Sequence, residues 1–334
     1  MIKISVLDQS PVASGSDATE ALANTVELAR LAERLGYHRY WLAEHHATTG
    51  LAGSAPEVLV AHVAASTRTI RVGSGGVMLP HYSPFKVAEQ FRTLAALHPG
   101  RIDLGVGRAP GGTARAAVAL RRDREIAMRD DFPAQVTELL AWLHDDIPER
   151  HPFRAVRATP VPRSAPAPWI LSSSGYGAEL AAQLGTALCF AHFINPVGGP
   201  EAVSRYVKQF VSSRALQAPE ASIAVSVVCA PTTPDALRIA TPVMRWRQRL
   251  RFAADPGPVP SLEEVDDDPE GSDVGSQLTR LVVGDPEHVA RELVSLAASY
   301  GVDEVLVVTI THDHGDRLRS YELVAQALGS SHSR

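Results

Sequence analysis

Short apolar runs alternate with segments of helical spacing along nearly the whole chain, and no other feature constrains the fold as strongly. Strand patterns occupy 2–7, 40–43, 70–79, 102–106, 169–171, 188–193, 223–229 and 304–310. Most are closed by Gly, Pro, Asn, Asp or Ser and followed by apolar residues three and four apart. In the first such helix Leu22, Val26, Ala29 and Leu35 share a face, Asp17 or Thr19 can cap its start, and Gly36 stops it. Pro56 suits the first turn of the next helix. Eight such units without an internal repeat make a single (β/α)8 barrel, a TIM barrel of the α/β class, the economical fold. A doubly wound open sheet is the alternative, but its GxGxxG fingerprint is missing after the first strand. The chain 1–334 is therefore read as one barrel domain with two excursions. One, 151–168, is rich in proline and arginine; the other, 254–276, is acidic and rich in Pro and Gly, and is expected to be a mobile surface insertion.

Composition narrows the function. Net charge is −5, and no basic block or interleaved aromatic stripe occurs, which argues against a nucleic-acid partner. Lys3, Lys86 and Lys208 are the only lysines, so arginine carries the positive charge. Cys189 and Cys229 sit in apolar runs and read as reduced core thiols. The N-terminus enters a strand pattern directly, and no apolar run is long enough to span a membrane, so a cytoplasmic protein is expected.

In a parallel barrel, chemistry collects at the C-terminal strand ends. The run Tyr40-Trp41-Leu42-Ala43 ends in Glu44-His45-His46, a carboxylate and two imidazoles that packing alone explains poorly. His45 is a candidate for proton transfer near neutral pH, with a hydrogen-bonded pocket histidine as the plainer reading; Glu44 shares the candidate site, and His46 reads as structural. Gly75-Gly76 interrupts the third strand, where glycine means a bulge or the close approach of a flat ring to the backbone. Ser172-Ser173-Ser174-Gly175-Tyr176 runs into a helix, either as a phosphate cradle or as an ordinary serine cap. Arg108 follows Gly105-Val106-Gly107 and adds a cation on a loop that a phosphate can approach. Neither a nucleotide-triphosphate loop nor a dinucleotide fingerprint is present, so a mononucleotide cofactor fits best. Asp8, Gln9, His192, Asn195 and Thr311 complete the polar strand ends. His312-Asp313-His314 has a metal-like look, but two imidazoles with Glu44 fall short of a recognisable zinc or iron set.

Several blocks together resemble the bacterial luciferase-like flavin-dependent monooxygenases. They are Trp41-Leu42-Ala43-Glu44-His45-His46, the run 72–80, Ala88-Glu89-Gln90, the run 100–108, Val283-Gly284-Asp285-Pro286-Glu287 and Val302-Asp303-Glu304-Val305. The likeness covers roughly 1–115, 130–145, 168–195 and 281–325, and leaves out 146–167 and 254–276. It implies a (β/α)8 barrel that takes reduced FMN from a separate flavin reductase. The flavin would react with dioxygen to a flavin peroxide that oxygenates a small organic substrate. By position, His45 matches the family's catalytic histidine beside the flavin. Gly75-Gly76 matches a non-prolyl cis peptide against the ring, and Arg108, Ser173 and Ser174 match phosphate contacts. The reactive cysteine of true luciferases falls at Gly107, which argues against light emission. For a second phosphate cation the candidates are Arg121, Arg122, Arg124 and Arg129. The likeness also implies a homodimer formed through the helices after the second and third strands; the acidic insertion 254–276, which the likeness leaves out, is expected to be the lid that keeps the site dry. Three other readings stay open: a deazaflavin-dependent oxidoreductase of the same family, a catalytically silent flavin-binding subunit, and a metal-dependent hydrolase.

Overall fold

The structure is a computed structural model, and it describes residues 2–120, 131–249, 255–266 and 279–330. Its strands are β1 (Lys3–Asp8), β2 (Arg39–Leu42), β3 (Arg71–Met78), β4 (Ile102–Gly107), β5 (Ala167–Ser172), β6 (Ala187–Ala191), β7 (Ala221–Cys229), β8 (Leu281–Gly284) and β9 (Glu304–Val308). Strands β1 to β7 neighbour one another in order, β7 pairs with β9, and β9 pairs with β1, all in parallel. Eight strands thus close into a barrel, as the alternation predicts. The short β8 lies outside that ring. It pairs only with the far half of β7, from Ser226 to Cys229, beyond the end of β6. Its four residues are too few to stand out from the sequence.

The helices are α1 (Ala18–Arg34), α2 (Pro56–Ser66), α3 (Pro84–Leu97), α4 (Ala114–Leu120), α5 (Phe132–His144), α6 (Gly175–Leu184), α7 (Gly199–Gln209), α8 (Thr233–Arg249), α9 (Leu262–Asp266), α10 (Pro286–Tyr300) and α11 (His314–Ser330). Local chemistry sets several of their ends. The Asp17 carboxylate accepts from the Glu20 N–H at the start of α1, and Asp285 does the same for His288 at the start of α10. Gly185 and Gly301 close α6 and α10 in the left-handed conformation.

Strand alternation divides the interior in two. On β2, Tyr40 and Leu42 face outward into the large cluster beneath the helices, while Trp41 and Ala43 face the lumen with Leu7, Trp169, Cys189, Ala224 and Leu306. Charge closes one end of the lumen. Arg39, 3% exposed, donates to both carboxylate oxygens of Glu304, at 2.7 and 2.9 Å, and to Asp103 at 3.0 Å. Its guanidinium lies 4.6 Å from the Trp169 ring, and Trp41 Nε1 donates to Asp103 at 2.9 Å. These residues stand at or near the N-terminal ends of their strands, so that end is plugged and the C-terminal end is left for a site.

Part of the 254–276 insertion is described, and that part is tied to the mouth. Asp255 accepts from Thr48 and Thr49, and Val259 exchanges backbone bonds with Val12 and Ser14. Residues 254 and 267–276, and with them about half of the expected lid, lie outside the described residues.

Asp103 keeps a second cation in Arg71, but removing Arg39 leaves the buried Glu304 carboxylate without a cation among the described residues. Arg39→Met should therefore cost about 3–5 kcal/mol of stability, measured by urea denaturation. A change below 1 kcal/mol would contradict the assigned role.

Candidate active site

A cavity of ≈190 Å³ opens at the C-terminal ends of the strands, many times the space one water needs. Glu44 and His45 after β2, Gly75 and Gly76 in β3, Arg108 after β4, Ser172 at the end of β5 and Ser173 after it all line it. The rest of the wall is largely apolar, from Leu7, Met78, Leu171, Phe193 and Ile194 among others. Ser174, Gly175 and Tyr176 continue from this wall into the first turn of α6.

Glu44 is fully buried, and its carboxylate takes three hydrogen bonds. Oε2 accepts from the Met78 N–H at 2.9 Å, and Oε1 accepts from the Tyr82 hydroxyl at 2.7 Å and meets His46 Nε2 at 2.6 Å. This geometry makes Glu44 a clamp that joins the end of β2 to the end of β3 and orients His46. His45, next along, is different. Its Nδ1 is buried and has no hydrogen-bond partner among the described residues. Burial, assisted by the neighbouring His46, lowers its pKa from 6.5 to about 4. His45 is thus a neutral imidazole at physiological pH that lines the cavity and keeps one buried nitrogen without a partner among the described residues.

The Gly75–Gly76 peptide is cis. Packing within the barrel already demands both glycines. A Cβ on Gly75 would strike Leu7, and one on Gly76 would come within 2.7 Å of the Gly105 carbonyl oxygen on β4. The glycines therefore bring β3 against its neighbours while keeping this stretch of the wall free of side chains.

The Arg108 guanidinium lies 4.6 Å from the Tyr176 ring, which holds the cation over the start of α6. Ser174 is the N-cap residue of α6 and makes no side-chain capping bond; the Ser172 hydroxyl instead accepts from the Ser174 N–H at 3.1 Å. Asn195 donates to the Ser173 carbonyl at 3.0 Å and steadies the turn. A second cation stands here that sequence reasoning missed. Arg205 on α7 reaches the same helix start, its Nη2 2.6 Å from where a Gly175 Cβ would lie. Its sequence context is an ordinary amphipathic helix, which carries no signal. The expected Arg121, Arg122, Arg124 and Arg129 lie outside the described residues.

Other strand-end polar groups are engaged elsewhere. Burial alone would raise the Asp8 pKa, but Arg317, the Tyr40 hydroxyl and the Ser10 N–H hold it below the ordinary value. His192 meets the Tyr300 hydroxyl at 2.9 Å, and His312 meets the Ser14 hydroxyl at 3.2 Å. No metal-binding cluster forms among the described residues, and no helix among them is long and apolar enough to cross a membrane.

The profile of the luciferase-like monooxygenases matches residues 2–304. The chain belongs to that family. It is 46% identical to the uncharacterized protein YwcH of Bacillus subtilis, over 98% of this chain and 99% of the relative. It is 38% identical to the N-acetyl-S-alkylcysteine monooxygenase of the same organism, over 98% of each. The crystal structure of apo-MsnO8 superposes with a TM-score of 0.90 at 40% identity, covering 98% of both chains. More distant chains, under 25% identical, share the fold and are solved with FMN or with an F420 adduct.

A neutral, buried His45 carries a pH signature. Its depressed folded-state pKa means that its contribution to stability is intact above pH 6.5 and is lost as pH falls toward 4. The stability difference between wild type and His45→Gln should therefore fall by up to about 3 kcal/mol over that window. A pH-independent difference in paired denaturation curves would contradict it.

Proposed function

We propose that this family member is the oxygenating component of a two-component FMN monooxygenase, taking reduced FMN and dioxygen to oxygenate a small organic substrate. The observation that carries the reading is the convergence of His45, Gly75-Gly76, Arg108 and Ser173 on one cavity. The residues fit the cofactor. Arg108, Arg205, the serine hydroxyls and the first turn of α6 form a setting for a phosphate dianion. The side-chain-free wall at Gly75-Gly76 leaves room for a ring, and the orphaned Nδ1 of His45 needs a polar partner that a flavin ring offers.

When bound, the flavin supplies the oxygen chemistry. The chain's own part is to orient and to keep dry. The apolar wall excludes water from the reacting region. His45, kept neutral by burial, can hold or pass a proton at Nδ1 without bringing a charge into that wall. Glu44 fixes the backbone on both sides of it, through Met78 and His46. The same reading pairs the chain with a flavin reductase and with a second copy of itself.

Anaerobic titration with reduced FMN and reduced riboflavin tests the assignment. Wild type should prefer FMN, and Arg108→Ala and Arg205→Ala should each lose about tenfold in FMN affinity with riboflavin unchanged. Admitting air should then give oxygen-dependent turnover that His45→Ala lacks. Tighter binding of reduced deazaflavin coenzyme than of FMN, or equal FMN affinity in wild type and both arginine variants, would overturn it.

A further inference from the structure

A further cation, Arg247, stands beyond the cavity wall on the β7 side, and the flavin reading leaves it unused. On β7, Ala224 lines the cavity. Side chains alternate along a strand, so Ser226 is the next residue on that face, about 6.6 Å further toward the mouth. Ser226 is fully buried, and its hydroxyl accepts from Nη2 of Arg247, which arrives from the last turn of α8. Among the described residues no carboxylate pairs with Arg247.

A cation in the last turn of a helix is favoured by the helix dipole, and one serving only that end would extend into water. Arg247 does not. It turns inward, is half-buried, and spends a hydrogen bond on a neutral hydroxyl. Burial, with the charge of Arg280 nearby, lowers its pKa to about 10, so the charge is held at a cost with no carboxylate of the described residues paired to it. Its position also separates it from the phosphate cradle. Arg108 follows β4, and β5 and β6 stand between β4 and β7.

We infer that Arg247 is the substrate's anion anchor: the substrate is an organic carboxylate whose apolar body lies against Phe193, Ile194 and Ala224 while its carboxylate pairs with the Arg247 guanidinium. This rests on the flavin reading, which puts the substrate in the same cavity. A guanidinium offers a planar fork for a carboxylate, and an apolar wall beside it fits a body without further charge. Arg247 would thereby set which end of the substrate enters and which group reaches the reacting region.

Calorimetric titration of the flavin-free protein tests this with matched probes: hexanoate against hexanamide, and (methylthio)acetate against (methylthio)acetamide. Wild type should bind each acid about 10- to 100-fold more tightly than its amide. Arg247→Met should abolish that preference, Arg247→Lys should keep part of it, and FMN affinity should be equal in all three. Arg247→Gln, which keeps a donor to Ser226 without the charge, gives the same comparison should the Met variant fail to fold. The inference is overturned if wild type shows no acid preference, if the preference survives in Arg247→Met and Arg247→Gln, or if these variants weaken FMN as much as the acids. Wild type that keeps the acid preference but binds no FMN would uphold the anion anchor and remove the flavin reading instead.

Discussion

The buried charge plug at the N-terminal end of the lumen is the constraint on which the rest depends. A barrel interior is packed, and where a hollow remains is decided by which end can be filled. Arg39, Glu304 and Asp103 satisfy one another there, with two tryptophans sealing the gaps. Such a network stabilises only when every member is present, because each charge alone would be stranded in a poorly solvating interior. With that end full, small residues further along the lumen (Ala43, Ala224 and the glycines of β3) leave space toward the other end. One end is committed to structure and the other is free for chemistry.

At the free end a second hub decides which side chains are structural and which are available. Glu44 takes three donors, two on Oε1 and one on Oε2, and so holds the ends of β2 and β3 in place. Its neighbour His45 is held by the same backbone, yet keeps a nitrogen unpaired. Two adjacent residues in a three-residue polar run thus have opposite roles, and the difference lies in the number of protein donors each can reach. Two arginines show a similar contrast. Arg108 lies over an aromatic ring beside a helix start, whereas Arg247 is drawn inward onto a hydroxyl.

Much of this was legible in the chain. The eight barrel strands follow from the alternation of short apolar runs with helical spacing, and the caps Asp17 and Asp285 from local hydrogen bonding. The gathering of Glu44, His45, Gly75, Gly76, Arg108 and Ser173 follows from their places at strand ends, because a closed parallel barrel brings those ends together. Arg205 and Arg247 were not legible. Both sit on amphipathic helices, Arg247 among other arginines, and an arginine that turns inward has the same local pattern as one that faces water. The short β8 was missed because four apolar residues carry no period.

The sequence by itself determined the fold class, the direction of the strands and which loops share a face, since these depend on periodicity and local propensity. Only the tertiary structure decided that Glu44 takes three protein donors while His45 Nδ1 takes none among the described residues, that Leu7 and the β4 backbone crowd the β3 glycines, and that a cation from α7 stands at the start of α6 and one from α8 on Ser226. The physical reason is that burial and partner count belong to neighbours brought together from distant parts of the chain. A residue's chemistry is set by those neighbours, and periodicity does not specify them.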